Sequence, residues 1–393
     1  MGSLQPPQYR SAIVIDKLPK KAHKQPTTKF GRMARAAPPF LAGLGVRLDV
    51  LLLAALIILS GGQRTFAQGC IPARHIALSL DAEGISYLEP NHWDISVSYR
   101  YLHSENTFIG YDEQPQYKAG GSNNVTTVHS FDVGLTYALS RRFSASLVLP
   151  FLDGEGTNMH ADKQRHTMHA GGFGDLRLLG NAWIWDPAKD PKGNLLLSLG
   201  VKAPTGDYRA TDQFYRATGP VRRPVDISIQ PGDGGWGIVP EVQAYRQLFE
   251  NAYAYLAGFY LINPRVKNGT ETLRSTPGNV VINSVPDQYQ GRVGLSYVVW
   301  PKQGVALSLG TRIDGIPVRD LIGGGDDGFR RPGFSIYFEP GLTISHRKYT
   351  FTLSGPVALV RNMERSIRDL ETGTRSPGGF ADFLIVASLS RRF

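Results

Sequence analysis

The sequence predicts an all-β fold, a transmembrane antiparallel up-and-down β-barrel of about 12 strands, and three observations predict it. The chain ends on Phe380–Phe393, FADFLIVASLSRRF. Ala381, Phe383, Ile385, Ala387 and Leu389 share one face, while Asp382, Ser388, Ser390 and Arg392 lie on the other with Leu384 and Val386. About ten residues of alternating strand closing on an aromatic residue suit a tilted membrane strand. Connections between such segments alternate between short and long from one end of the chain to the other. Composition agrees: 44 Gly, 17 Tyr and 18 Phe with a mean hydropathy of −0.20 describe many turns and aromatics without a continuous apolar run.

The first strand pattern is Trp93, Ile95, Val97, Tyr99 and Tyr101 against Asp94, Ser96, Ser98 and Arg100. A polar stretch over 103–126 separates it from Phe131, Val133, Leu135, Tyr137 and Leu139. Ser140–Arg142 then turns into Phe143, Ala145, Leu147, Leu149 and Phe151. A long polar loop is expected over 153–174, followed by DLRLLGNAWIW, the turn DPAKDPKG, and NLLLSLGVKA. The longest loop, 204–235, leads to strands at Trp236–Gln247 and Tyr253–Ile262. Loop 263–287 precedes QYQGRVGLSYVVW, Pro301–Gly304 turns, and strand nine ends in loop 315–333. FSIYFEPGLTI and YTFTLSGPVAL follow, and loop 361–379 leads to the last strand. Strict short–long alternation puts all short turns on one rim, as expected of periplasmic turns, and all long loops on the other, as expected of extracellular ones.

Aromatic residues are expected in two girdles. Trp93, Tyr137, Phe143, Trp183, Tyr253, Trp300 and Tyr349 fall near the short turns; Tyr101, Phe131, Phe151, Trp236, Phe259, Tyr289 and Phe334 fall near the long loops.

The formal charge is +10, but residues 1–67 hold eight of those net charges, so the barrel itself is nearly balanced and nothing points to nucleic acid. That basic start precedes VLLLAALIILS and an A-x-A-like Thr65-Phe66-Ala67. The layout reads as a signal peptide over 1–67 with a long basic leader, translation from Met33 being the alternative start and an organellar transit peptide the competing reading. Residues 68–91 read as a periplasmic lead-in or plug and 92–393 as the barrel. Cys70 is the sole cysteine, which excludes an internal disulfide and a cysteine metal cluster, and Ala67 stands where a lipid-modified cysteine would want Leu.

Two motifs carry a family resemblance: GDLRLLG at 174–180 and GVKAPTGDY at 200–208. With the alternating strands and terminal Phe, residues 90–393 resemble the outer-membrane proteins of the meta-pathway of phenol degradation family, a set of presumed transporters. The resemblance implies a barrel in the outer membrane that passes small aromatic or apolar compounds. It identifies neither the solute nor a catalytic residue.

Candidate lumen-lining residues are the inward charges Arg100, Arg177, Lys202, Glu241, Arg292, Arg312, Asp314, Glu339, Asp382 and Arg392. They would either set ion preference, with Arg292 and Arg312 favouring anions, or pair across the lumen to hold the barrel together. His160, His166 and His169 in MHADKQRHTMHAGG are weak metal candidates; no metal and no cofactor is expected. GDGGWG at 232–237 lacks the Lys-Ser/Thr of a phosphate loop, and Asp326-Asp327 lack the spaced carboxylates of a calcium loop and read as a turn beside Arg330 and Arg331. The expected function is a passive outer-membrane channel for small solutes, in contact with membrane lipid and lipopolysaccharide and delivered by the barrel assembly machinery. A structural or adhesive barrel acting through its loops is the alternative. An outer-membrane hydrolase is disfavoured, because His129 and Ser130 are adjacent on a strand and face opposite ways.

Overall fold

The computed structural model describes residues 87–276, 278–323 and 328–393. The leader 1–67, Met33, Cys70, most of the lead-in and Asp326-Asp327 lie outside the described residues.

Twelve antiparallel strands form one closed sheet. In chain order they are β1 (Trp93–Ser104), β2 (Val125–Ala138), β3 (Phe143–Met159), β4 in two pieces (Arg165–Phe173 and Arg177–Trp183), β5 (Gly193–Lys202), β6 (Gly237–Phe249) and β7 (Ala252–Leu261). They continue with β8 (Gln288–Trp300), β9 (Val305–Ile316), β10 (Gly333–His346), β11 in two pieces (Tyr349–Ser354 and Val357–Met363) and β12 (Phe383–Arg392). Each strand pairs with its sequence neighbours, and β12 closes on β1 from Asp94↔Arg392 to His103↔Phe383. In the closed part of the sheet every strand has a partner on both sides, the condition for spanning hydrocarbon with strands, and one-sided pairing is found in the first piece of β4.

Alternation sorts the two faces as expected. On β8, Val293, Leu295 and Tyr297 are exposed while Gln290 and Ser296 are buried; on β5, Leu197, Leu199 and Val201 are exposed while Ser198 and Lys202 are buried. Leu199 is 64% exposed and Lys202 1%, three residues apart on one strand. Only a surface solvated by lipid makes that an economical arrangement.

The structure corrects three expectations. Residues 153–174 are not a loop: β3 and the first piece of β4 continue as an arm paired from Phe151↔Phe173 to Met159↔Arg165, with β2 alongside β3 as far as Val125↔Thr157. Its strands carry only a short apolar face, Met168 and Ala170, and the backbone ladder with a Thr157–Thr167 hydroxyl pair at 2.7 Å adds to what holds them. Strand eleven is broken at Gly355-Pro356, because proline has no N–H for the ladder; the Pro356 carbonyl still accepts from Leu384 N at 2.8 Å, and the strand resumes to Met363.

The third correction concerns the girdles. Trp93, Phe143, Trp300 and Tyr349 at the short-turn rim, and Phe151 and Trp236 at the other, are exposed. Tyr253 and Phe259 are instead buried on the inner face, and Trp183 packs on the inner cluster of Tyr245, Tyr253, Val298 and Ala306. On β7 both faces are greasy, so alternation alone cannot say which meets lipid. Tyr255 also lies inward: a Cβ on Gly294 or on Gly310 would stand 2.5 Å from its hydroxyl, so these two glycines make the slot for its ring.

Candidate functional site

Four loop and strand segments converge inside the barrel near the long-loop rim. The two family-like motifs supply half of them. Asp175, in the gap of β4, accepts from Gly206 N at 2.9 Å and from Asp233 N at 3.2 Å, and lies 3.4 Å from Lys202 Nζ. Lys202, at the end of β5, also ion-pairs with Asp233. Thr205 Oγ1 donates to Gly174 O and accepts from Leu176 N, both at 2.9 Å. A Cβ on Gly206 would stand 2.7 Å from Gly232 Cα, so glycine there lets two backbones touch. GDLRLLG, GVKAPTGDY and GDGGWG therefore form one clasp, and it pins the loop 203–236 into the lumen.

From the clasp the loop crosses inward through a 3₁₀ turn, Ile227–Ile229, whose Asp226 side chain caps Ser228 N at 3.0 Å. Val225 and Ile229 are fully buried against Met168 and Ala170 of the arm. Arg331, from the loop after β9, grips Asp226 with both terminal nitrogens at 2.7 Å, a bidentate pair. Its neighbour Arg330 grips Asp320 in the same way at 2.8 and 2.6 Å. These two arginines, expected beside a turn at Asp326-Asp327, are mostly buried ties, Arg330 within its own loop and Arg331 to the loop before β6: side-chain exposure is 0% for Arg330 and 11% for Arg331.

Burial alone would push the Asp226 carboxyl up, but the Arg331 charge and hydrogen bonds, with those from Ser228, hold it below the usual carboxylate range. The folded state thus gains from this carboxylate at any pH above its unfolded value of about 4. The gain is lost only as pH falls below that value toward the lower folded one. Loop closure through this pair should consequently be unchanged from neutral pH down to about 5. Asp226→Asn should loosen the loop at neutral pH and remove the acid transition below about 4. Bilayer conductance recorded against pH checks both; an acid transition of wild-type size in the variant would assign it to another group.

Beneath the clasp lies a belt on β8–β11. Arg292 Nε donates to Glu339 at 2.9 Å, Ser354 Oγ donates to the other Glu339 oxygen at 3.0 Å, and Arg312 Nε is shared between both Asp314 oxygens at 2.9 and 3.0 Å. Arg292 and Arg312 face one another in register, so each arginine needs its own carboxylate. The expectation that these two cations favour anions has to be set against those pairs, which compensate both charges.

The remaining candidates sort by position. Arg100 donates to Ser130 Oγ at 2.7 Å and shares a cavity with Arg177 and Lys202. Glu241 and Arg392 border a second cavity of about 280 Å³ at the short-turn rim, lined by Ser96, Thr136, Ser146 and Asn181 and reached by Tyr87 and Leu88 of the lead-in. Asp382 pairs with Arg361 at 2.7 Å and accepts from Glu105 N at 2.7 Å, which ties β12 to the first loop. Three cavities thus follow one another along the interior, and the 226–233 segment separates the upper two, Asp226 and Ser228 facing one and Ile227 and Gln230 the other.

The histidines have partners of their own. His160 Nδ1 accepts from Tyr215 N at 3.0 Å and its ring stacks on Phe214; His166 pairs with Asp162 at 2.7 Å and stacks on Tyr215; His169 lies 3.5 Å from Glu155. Among the described residues no group of three or more His, Cys, Asp or Glu is placed to hold a metal ion. His129 reaches outward to the Tyr99 hydroxyl at 2.7 Å, while Ser130 points inward to Arg100. Asp175, Asp226, Asp233, Asp320 and Arg361, all central here, had no place among the sequence candidates.

No family model and no curated protein matches the chain. Among solved structures it is similar to the COG4313 outer membrane channel from Pseudomonas putida F1, with a TM-score of 0.51 and 15% identity over 79% of this chain and 98% of that one. A FadL homologue of Pseudomonas aeruginosa scores 0.40 at 10% identity, covering 78% of this chain and 90% of its own. The CymD monoaromatic hydrocarbon channel scores 0.40 at 6%, covering 78% and 89%. The first of these likenesses shows the fold: this chain is a closed antiparallel β-barrel of the outer-membrane type.

Proposed function

We propose that this barrel is an outer-membrane channel through which small solutes, aromatic or apolar compounds among them, diffuse passively. The carrying observation is three cavities inside the barrel, two of them lined by the ion-paired 226–233 segment. An eight-stranded barrel is filled by its side chains and a sixteen-stranded one leaves an open pore; twelve strands leave room for such chambers. Apolar clusters also line the interior, Val239, Ala257, Phe259 and Leu261 on β6–β7 and Leu102, Leu384 and Val386 on β1 and β12. Such surfaces beside the charged groups suit solutes with an apolar body. On this reading lipid and lipopolysaccharide meet the exposed belt, and the periplasmic lead-in ends at the lower cavity.

The test is single-channel recording of refolded protein together with swelling of liposomes in a panel of small aromatic and aliphatic solutes. Small, discrete conductance with solute-dependent swelling is the expected result. A correctly folded barrel with neither, even after its loop ties are cut, would favour a structural or adhesive role exercised by the loops.

A further inference from the structure

We propose that the cavity beneath the clasp is a binding subsite for a small monocarboxylate with an apolar or aromatic body, and that Arg177 is the residue that receives the carboxylate. The proposal rests on the channel reading only for its biological sense; the site is argued from its own geometry.

Arg177 opens the second piece of β4, and its next neighbour Leu178 is exposed to the outside, so the arginine side chain is held inward. It is 6% exposed, and it lines the cavity of about 120 Å³ beneath the 226–233 segment. The other cations at this cavity are committed: Lys202 to Asp175 and Asp233, Arg330 to Asp320, Arg331 to Asp226, and Arg100 hydrogen-bonded to Ser130. Arg177 differs from them in forming no ion pair among the described residues, and its Nε, like that of the otherwise paired Arg330, has no hydrogen-bond partner. Of the carboxylates lining this cavity, Asp175 and Asp233 are engaged by Lys202, and Asp132 acts on Arg100; none is within ion-pair distance of Arg177.

A guanidinium that is more than nine-tenths buried and uncompensated is costly unless an anion completes it. Its planar fork matches a carboxylate in two parallel hydrogen bonds. A second polar group of the same cavity is incomplete too: Gln288 Oε1, on the far wall, has no donor, and would receive a hydroxyl proton of the same solute. The same cavity is lined by Leu152, Ile227, Leu261 and Ile316, which give an apolar surround for a ring or short alkyl body. One charged anchor, one distal acceptor and an apolar middle describe a small organic acid better than an inorganic anion, which would leave the apolar wall uncovered.

Binding of benzoate and of its neutral counterpart benzyl alcohol to the refolded full chain in micelles, by calorimetry, tests this. Wild type should prefer benzoate by about tenfold or more, the margin a charge-assisted bidentate pair gives. Arg177→Gln should erase the preference while leaving benzyl alcohol affinity unchanged, and Arg177→Lys should restore part of it. Equal binding of the two ligands by wild type, binding of neither, or a folded Arg177→Gln that keeps the preference would overturn the proposal. Should Arg177→Gln fail to show the heat-modifiable migration of a folded barrel, the wild-type preference and Arg177→Lys decide alone. Benzoate binding without ion flux would fail the channel reading but not this site. Ion flux without benzoate binding would do the reverse.

Discussion

Lys202→Met should raise conductance, if the barrel conducts as proposed, by releasing the loop folded into its lumen. Lys202 is 1% exposed and is the only cation within ion-pair distance of both Asp175 and Asp233 among the described residues. Removing it leaves two carboxylates facing each other across the clasp without compensation, and breaking a buried pair from one side costs about 3–5 kcal/mol. The β-barrel wall does not have to absorb that cost. Asp233 sits on the 203–236 loop, which can leave the lumen and hydrate its carboxylate, whereas Asp175 is fixed between the two pieces of β4. The equilibrium between inserted and released loop should therefore move toward release by a factor on the order of 10²–10³. Single-channel conductance should rise several-fold, and Lys202→Met with Asp233→Asn should restore part of the closure by removing one stranded charge. A Lys202→Met barrel that folds and conducts as wild type does would show that the Asp226–Arg331 tie suffices alone.

What the sequence revealed and what it hid follow one physical division. Membrane thickness dictates strand length, and a lipid exterior dictates alternation, so the twelve strands and their closure into one antiparallel sheet were legible in the sequence. Partner identity was not. Lys202 meets Asp233 across 31 residues and Arg331 meets Asp226 across 105, separations over which no periodicity carries information. GDGGWG was read only as a failed phosphate loop, when its Asp233 is half of the clasp. The misplaced aromatics have a related cause. Tyr253 and Phe259 lie on a strand greasy on both faces, and only closure of the barrel decides which face turns in. The β3–β4 arm is hidden in the sequence because its one apolar face is short, Met168 and Ala170, and is covered by Val225 and Ile229 from a loop more than fifty residues away.

Arg312 is where the barrel wall itself should prove most sensitive. Its guanidinium is 2% exposed, it holds Asp314 two residues along the same strand, and in register it faces Arg292, which is engaged by Glu339. Arg312→Gln keeps a hydrogen-bond donor but strands the Asp314 charge, so the barrel should lose about 3–5 kcal/mol and its heat-modifiable transition should move to markedly lower temperature. Arg312→Gln with Asp314→Asn leaves no net charge behind, and replacing both members of a buried pair is often close to neutral. The double variant should accordingly recover most of the lost stability, giving a coupling energy well above the scatter of independent sites, about 0.5 kcal/mol. Ion preference separates this account from the one in which Arg292 and Arg312 select anions. If both arginines are spent on their carboxylates, the charge-balanced double variant should conduct with unchanged selectivity. A shift away from anions in that variant, at wild-type stability, would mean that Arg312 faces passing ions despite its pairing with Asp314.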